Sequence, residues 1–285
     1  MTNIFQLFKQ ILITSRPLGW LIFGVSYLGG FLVSKGFSNW DLQNILTLFS
    51  VTAILSFPIY AINDIYDYES DKINERKKFA IMGGVLNPKY WELFKILSLI
   101  CILILIIIPI IFSNFLGLVC SILGLIIGIG YSLPPFRFKT RPFGDILACT
   151  LGFIALFILG MTKNLNFEKF ITAFPYLGFS SLMVFAWSIL CLGIDYKADK
   201  IANHKTTSTR LNRNLTFVLA SLVYFICGLV LMFYFSSFLG VLLFLSSFII
   251  LFGLKYKSTN FAIFVLILVT FLSILAYSSI FIKFL

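Results

Sequence analysis

Apolar residues run through this chain in long blocks divided by short polar breaks. Most blocks approach the length a helix needs to cross a bilayer, roughly 17–25 residues. They cover residues 18–33, 45–62, 96–112, 115–133, 146–161, 170–194, 215–235, 238–254 and 261–282. The breaks at Asn114 and at Ser236 and Ser237 are brief, so the pattern allows eight or nine crossings, and about nine is the expectation. Ahead of the blocks, Ile4, Phe5, Leu7, Phe8, Ile11 and Leu12 fall on one helical face, with Gln6, Lys9 and Gln10 opposite. That pattern suits an amphipathic segment, residues 1–16, lying at the membrane interface, and no cleavable leader is read in it. The predicted fold class is an all-α polytopic membrane protein, with residues 1–285 as a single domain.

Composition agrees. The chain is 60% hydrophobic and only 12% charged, with mean hydropathy +1.01, whereas a soluble domain is about 25% charged. The basic residues orient the predicted helices. With the N-terminus inside, 18 of the 22 Lys and Arg fall on inside segments, leaving Lys35, Lys163, Lys169 and Lys283 outside. The expected topology is N-in and C-out. This asymmetry accounts for most of the net charge of +11 and removes the reason to invoke a nucleic-acid partner; the remainder suits an anionic substrate or membrane lipid. The five cysteines all fall inside apolar blocks without a Cys-x-x-Cys pair, which reads as core filling rather than a zinc site or disulfide framework.

Two acidic clusters stand out against this apolar background. Asn63, Asp64, Asp67 and Asp71 end the second block, and Asp195 and Asp199 end the sixth. Spacings of i, i+3, i+7 and of i, i+4 line each set along one helical face. An unpaired ionised carboxylate costs several kcal/mol to bury, so five of them beside membrane spans imply a compensating cation. Mg²⁺ takes oxygen ligands and commonly bridges a few carboxylates to substrate phosphates. Both clusters fall on the predicted cytoplasmic side, and so does the loop between them, from Tyr131 to Asp145. Its Pro134 and Pro135 break a helix, and its Arg137, Lys139 and Arg141 alternate with Phe136 and Phe138. Those cations suit diphosphate oxygens, or simply anchor the loop inside. If the substrate's other end is an isoprenoid, loss of diphosphate leaves an allylic cation that needs a dry, aromatic-lined cavity. The chain's 34 Phe and 12 Tyr can supply one. Glu69 and Glu75 read as solvated or salt-bridged positions, His204 as a loop residue without a partner, and Asp145 as either a helix cap or a supporting residue of the site.

At these residues the chain resembles the UbiA superfamily of intramembrane prenyltransferases. Asn63–Asp71 matches the family's Asn-Asp-x-x-Asp-x-x-x-Asp motif, Asp195–Asp199 its second Asp-x-x-x-Asp, and Tyr131–Lys139 its Tyr-Ser-x-Pro-Pro-x-Arg-x-Lys loop, with Arg16-Pro17 ahead of the first block. The resemblance implies nine helices around a central cavity, dependence on Mg²⁺, and transfer of a prenyl group from a prenyl diphosphate to a hydrophobic acceptor. It implies Asp64, Asp67, Asp71, Asp195 and Asp199 as metal ligands, with Asn63 orienting them or the diphosphate. Arg137, Lys139, Arg141, Lys205 and Lys72 are the implied diphosphate-binding residues. The chain departs from the family after the first motif, where Arg76, Phe79 and Ile81 stand near expected prolines, and after the second, where Asn203 or His204 replaces a glycine. The wording Asn63-Asp-Ile-Tyr-Asp-Tyr-Glu-Ser-Asp71 is similar to the carotenoid branch, which includes lycopene elongases. Aromatic quinone precursors, tetrapyrroles and glycerol ether lipids are the other acceptors. The expected location is the plasma membrane of a prokaryote, with the site facing the cytoplasm.

Two other classes compete. A transporter would place its acids near the bilayer midplane, whereas these sit at helix ends on one side. A CDP-alcohol phosphotransferase would carry Asp-Gly-x-x-Ala-Arg ahead of its later aspartates, a string this chain lacks.

Overall fold

Each apolar block becomes helix in the computed structural model of the protein. The structure describes residues 4–36, 40–78, 83–235, 237–255 and 259–281, without the side chains of residues 75, 78, 164, 253–255 and 259. Lys257 and Lys283 of the charge pattern, Phe79 and Ile81 of the first-motif departure, and Ser236 of the late break lie outside the described residues. In chain order the helices are α1 (Ile4–Ser15), α2 (Pro17–Lys35), α3 (Leu42–Phe49), α4 (Ser56–Tyr66), α5 (Tyr68–Ile73), α6 (Trp91–Ile111) and α7 (Phe115–Gly130). There follow α8 (Gly144–Met161), α9 (Phe167–Ile201), α10 (Thr207–Leu211), α11 (Arg213–Phe233), α12 (Gly240–Lys255) and α13 (Thr259–Ser279). No strand occurs among the described residues.

Local chemistry sets the helix ends. Pro17 occupies the first turn of α2, where its missing N–H costs nothing. Asp41 caps α3 by accepting from Asn44 N at 2.9 Å, and Asn114 caps α7 by accepting from Gly117 N at 2.8 Å. A wide π turn over Ser50–Ile54 joins α3 to α4 just before Pro58, a usual way to absorb the break that proline imposes.

Among the described residues, seven helices are long and apolar enough to cross a membrane, with Leu42–Tyr66 taken as one, while Phe115–Gly130 and Gly240–Phe252 are apolar but shorter. The two shorter helices fall on the fourth and eighth of the nine apolar blocks. For α7 the reason is local, because the Asn114 cap and the turn after Gly130 cut it short. α9 is the opposite case. Its 35 residues span about 52 Å at 1.5 Å per residue, enough to carry Asp195 and Asp199 beyond a hydrocarbon core of about 30 Å.

α2 and α8 meet backbone to backbone. A methyl placed on Gly30 would lie 1.8 Å from Phe157 O, and one on Gly160 would lie 2.2 Å from Tyr27 O. Ser26 Oγ donates to Phe153 O across the same seam at 3.0 Å. Lipid tails are as apolar as leucine, so close packing at small residues, rather than escape from solvent, holds such helices together. α6 shows the other face of that rule. Its Ile96, Ile100, Leu103, Ile107 and Ile110 are exposed along one side, as a lipid-facing stripe should be.

Two details refine the expected pattern. The apolar face of α1 divides, because Leu7 and Ile11 pack on the small cluster of Phe57, Ala61, Leu86, Tyr90 and Phe94, while Ile4, Phe5, Phe8 and Leu12 are exposed. Nor are all the cysteines core filler: Cys120 and Cys227 are buried in the main core, but Cys149 and Cys191 line a cavity. Charge segregates by end. Lys35 lies 3.2 Å from Asp41, Lys163 also pairs with Asp41, and Lys169 Nζ donates to Ser34 O at 2.8 Å, at the opposite end of α2 from Arg16.

Substituting Gly30 or Gly160 by Ala should lower the thermal unfolding midpoint in detergent, since overpacking costs about 1–3 kcal/mol. Gly178→Ala is the control, because nothing lies within 4 Å of a methyl there. Equal midpoints for all three variants would remove the packing role of the α2–α8 seam.

Candidate functional site

The helices enclose a cavity of about 1400 Å³, its open mouth included, polar at one end and apolar below. Asn63, Asp67, Asp71, Asp195 and Asp199 line the polar end with Arg16, Asn74, Arg76, Lys77 and Lys139; Phe23, Leu55, Ile59, Gly128, Phe153 and Leu156 are among the residues of the apolar part. The first cluster straddles a helix junction. Asn63 and Asp64 are in the last turn of α4, Asp67 sits between helices at φ −103° and ψ 8°, and Asp71 is in α5. Asp67 N still donates to Asn63 O at 2.9 Å and Asp71 N to Asp67 O at 2.8 Å. Helical spacing therefore persists through the junction, and the i, i+3, i+7 face survives it. The second cluster is in the final turns of α9, as its spacing predicts. Asn74 Nδ2 joins the two by donating to Asp195 Oδ1 at 3.0 Å.

Each carboxylate meets a basic side chain. Asp64, fully buried behind the cavity wall, lies 2.8 Å from Arg16 and 2.7 Å from Lys77, whose Nζ also stands 2.8 Å from Asp71 Oδ2. Asp67 pairs with Lys139, has Arg137 at 3.8 Å, and accepts from Asn63 Nδ2 at 2.6 Å. Asp195 is 2.9 Å from Arg76, and Asp199 is 3.4 Å from His204 Nδ1. Asn63 is held from both sides, accepting from Arg16 at 2.9 Å and donating to Ser132 Oγ at 2.9 Å. Arg16 stacks 4.2 Å over the Tyr60 ring and adopts φ 48°. A non-glycine residue held in that region, just before a proline, needs surrounding contacts to over-determine it, and Asp64, Asn63 and Tyr60 do so.

Burial sets the titration of these groups. It lifts the Asp71 carboxyl to about 6 despite the pull of Lys77, with Asp64 and Asp67 adding to the rise. Burial alone would push the guanidinium groups of Arg16 and Arg76 down, but Asp64 beside the first and Asp195 beside the second leave both above the usual arginine value. Removing one member of such a buried pair costs about 3–5 kcal/mol, chiefly by stranding the other.

The donor set fits a divalent cation of Mg²⁺ type. Asp64 Oδ2 and Asp67 Oδ1 are buried without a hydrogen-bond partner, which is costly unless another ligand satisfies them. Among the described residues, no three His, Cys, Asp or Glu side chains converge closely enough to cage an ion. Mg²⁺ has little need of such a cage, since it keeps several waters and binds one or two carboxylates together with substrate phosphates.

The structure gathers Asn63, Asp64, Asp67, Asp71, Asp195, Asp199, Arg137 and Lys139 as the motifs predict. It places three expected diphosphate ligands elsewhere. Lys72 is exposed and paired with Glu69 at 3.0 Å, Arg141 donates to Pro135 O at 2.9 Å on the surface, and Lys205 is exposed away from the cavity lining. His204 is no free loop residue, since it faces Asp199. Asp145 is not the cap of α8, a position Phe143 holds; it lies in the first turn, lines the cavity, and accepts from Ile146 N at 2.9 Å and from Thr207 N at 2.7 Å. That second bond ties the Tyr131–Phe143 loop to the segment after Asp199. Glu69 is surface-paired as expected, while the Glu75 side chain lies outside the described residues. Arg76 and Lys77 escape a motif reading because their charge looks like membrane anchoring, whereas Asn74 can be aligned to the family's asparagine after the first motif. The available signal was a basic pair within six residues of Asp71.

Comparison with known proteins bears on this geometry. The family model for "UbiA prenyltransferase family" matches residues 22–263. Lycopene elongase/hydratase of Corynebacterium glutamicum is 28% identical over 203 residues, 70% of this chain and 69% of that protein. Digeranylgeranylglyceryl phosphate synthase of Saccharolobus solfataricus is 30% identical over 201 residues, 68% of this chain and 66% of that one. A solved UbiA homolog from Archaeoglobus fulgidus, bound to DMAPP and Mg²⁺, shares the fold at TM-score 0.69 and 19% identity, over 95% of this chain and 99% of its own. The matched residues contain both aspartate motifs and the loop between them, so the chain belongs to the UbiA prenyltransferase family and is an integral, multi-pass membrane enzyme.

Proposed function

We propose that this protein moves a prenyl group from a prenyl diphosphate to a lipophilic acceptor, with Mg²⁺ bound by Asp64, Asp67, Asp71, Asp195 and Asp199. The observation that carries the reading is the cavity itself, with carboxylates and cations at one end and hydrocarbon below. When bound, Mg²⁺ supplies Lewis-acid stabilisation of the departing diphosphate. Arg16, Arg76, Lys77, Arg137 and Lys139 exchange a carboxylate partner for phosphate oxygens, and Asn63 orients both sets. The allylic C–O bond breaks with its electron pair leaving on diphosphate. An acceptor double bond supplies the pair for the new C–C bond, and a proton is lost. Tyr60, Phe23 and Phe153 line the apolar part, where they exclude water and offer π faces to the cation.

The acceptor we propose is a carotenoid such as lycopene, supported by the similarity to the Corynebacterium glutamicum enzyme. A glycerol ether lipid is the second reading, favoured by the Saccharolobus solfataricus relative. A transporter fits less well, since its acids belong midway along a path and these close one end of a cavity. In this reading residues 1–285 form one domain of nine crossings, N-in and C-out, with residues 1–16 on the interface. The site faces the cytoplasm from a prokaryotic plasma membrane.

Asp67→Asn and Asp195→Asn should reduce EDTA-sensitive transfer of radiolabelled dimethylallyl diphosphate to lycopene at least about 100-fold, the scale of losing one charge-stabilising group. Glu168→Lys, on the exposed first turn of α9, should retain activity. Full activity in either aspartate variant would sink the metal assignment. Mg²⁺ and diphosphate should also bind interdependently, because the carboxylates and cations neutralise each other until both arrive. Equilibrium binding should show each ligand tightening the other by the same factor, about tenfold or more; independent affinities would remove the exchange.

A further inference from the structure

A second, apolar chamber, open on one side and of about 520 Å³ with that mouth included, lies beyond the site cavity between α2, α8, α9 and α13. The two spaces share two lining residues, Phe153 and Trp187. Their order along α9 gives the geometry. Asp199, Asp195, Cys191, Ser188 and Trp187 line the site cavity, then Trp187, Val184, Met183 and Ser180 line the chamber. At 1.5 Å per residue, Trp187 stands about 12 Å along the helix from Asp195, and the chamber runs about 10 Å further to Ser180.

The chamber's polar groups are already spent. Ser26 donates to Phe153 O at 3.0 Å, Thr270 to Leu266 O at 2.7 Å and Ser273 to Val269 O at 2.6 Å. Ser180 donates to Tyr176 O at 2.6 Å and meets Tyr277 Oη at 2.7 Å at the far end. Water needs two to four polar partners to occupy a cavity, so a space walled this way stays dry or takes hydrocarbon. The partition is pinned rather than loose: Trp187 Nε1 donates to Thr270 Oγ1 at 3.0 Å, from α9 across to α13.

We propose that Trp187 sets the length of polyisoprenoid hydrocarbon this protein accommodates, acting as the partition between the site cavity and the second chamber. The ligand class rests on the prenyl-transfer reading; the partition rests on the two cavities and the indole bond. A pinned wall gives a sharper limit than an open apolar groove, which separates ligands by only about 10–200-fold per methylene. The tail that meets this wall belongs either to the diphosphate donor or to the acceptor.

The test compares wild type with Trp187→Ala, Trp187→Leu and Thr270→Val in purified protein. One arm measures Mg²⁺-dependent binding of dimethylallyl, geranyl, farnesyl and geranylgeranyl diphosphates. The other measures binding of the matching prenyl alcohols and of lycopene, which need no diphosphate site. Trp187→Ala should raise the affinity ratio of the longest to the shortest ligand at least tenfold, with Trp187→Leu and Thr270→Val shifting it less in the same direction. The two shorter changes also keep the test readable if Trp187→Ala does not fold. A shift in the diphosphate arm assigns the chamber to the donor tail, and a shift confined to alcohols and lycopene assigns it to the acceptor. Ratios unchanged from wild type in both arms overturn the partition. Failure of every diphosphate to bind wild type with Mg²⁺ overturns the prenyl-transfer reading instead, and the alcohol arm still decides the partition.

Discussion

Buried charge is the constraint on which the rest of this structure depends. Asp67, Asp71, Asp195 and Asp199 line one end of an otherwise apolar cavity, and Asp64 stands behind them with no exposure at all. Charge in such a place persists only when it is paired and hydrogen-bonded. Arg16, Arg76, Lys77, Arg137, Lys139 and His204 supply the pairing, and each comes from a segment other than the helix turn bearing its partner. The same contacts that neutralise the carboxylates therefore hold the loops over the cavity. Pairing also leaves Asp64 Oδ2 and Asp67 Oδ1 without a hydrogen-bond partner.

The helices serve that end by geometry. The α2–α8 seam closes on Gly30 and Gly160 so tightly that carbonyls occupy the space of side chains, and this fixes Arg16, at the head of α2, relative to Asp145, at the head of α8. The Asp145–Thr207 bonds then bind the loop carrying Lys139 to the segment beyond Asp199. Positions far apart in sequence become one polar lid on an apolar cylinder.

Below that lid the wall changes character along a single helix. α9 presents carboxylates, then a thiol and a hydroxyl, then the Trp187 indole, then aliphatic side chains. A substrate with a charged head and a hydrocarbon tail meets that gradient in its own order. Family membership and cavity chemistry thus point the same way without either standing in for the other.

Much of this was legible in the chain alone. Apolar blocks dictate helices in lipid because every backbone polar group must be satisfied within its own segment, so the all-α fold needed no tertiary information. The aspartate spacings were equally local, and Asn63–Asp71 and Asp195–Asp199 emerge as drawn. What sequence could not decide depended on long-range position. Arg76 and Lys77 carry the same charge as Lys72 and Lys205, yet only packing turned the first pair inward and left the second pair outside. His204 and Asp145 gained partners only when loops met. The division of α1 between core and exterior, and the place of Trp187 between two cavities, were likewise hidden. In a membrane protein the lipid-facing and cavity-facing sides share one apolar chemistry, so periodicity marks a helix without saying which way it faces. Sequence by itself determined helices, motifs and the family to which the chain belongs; tertiary structure decided which charges neutralise which, because Coulomb pairing and steric closure act between segments that only folding brings together.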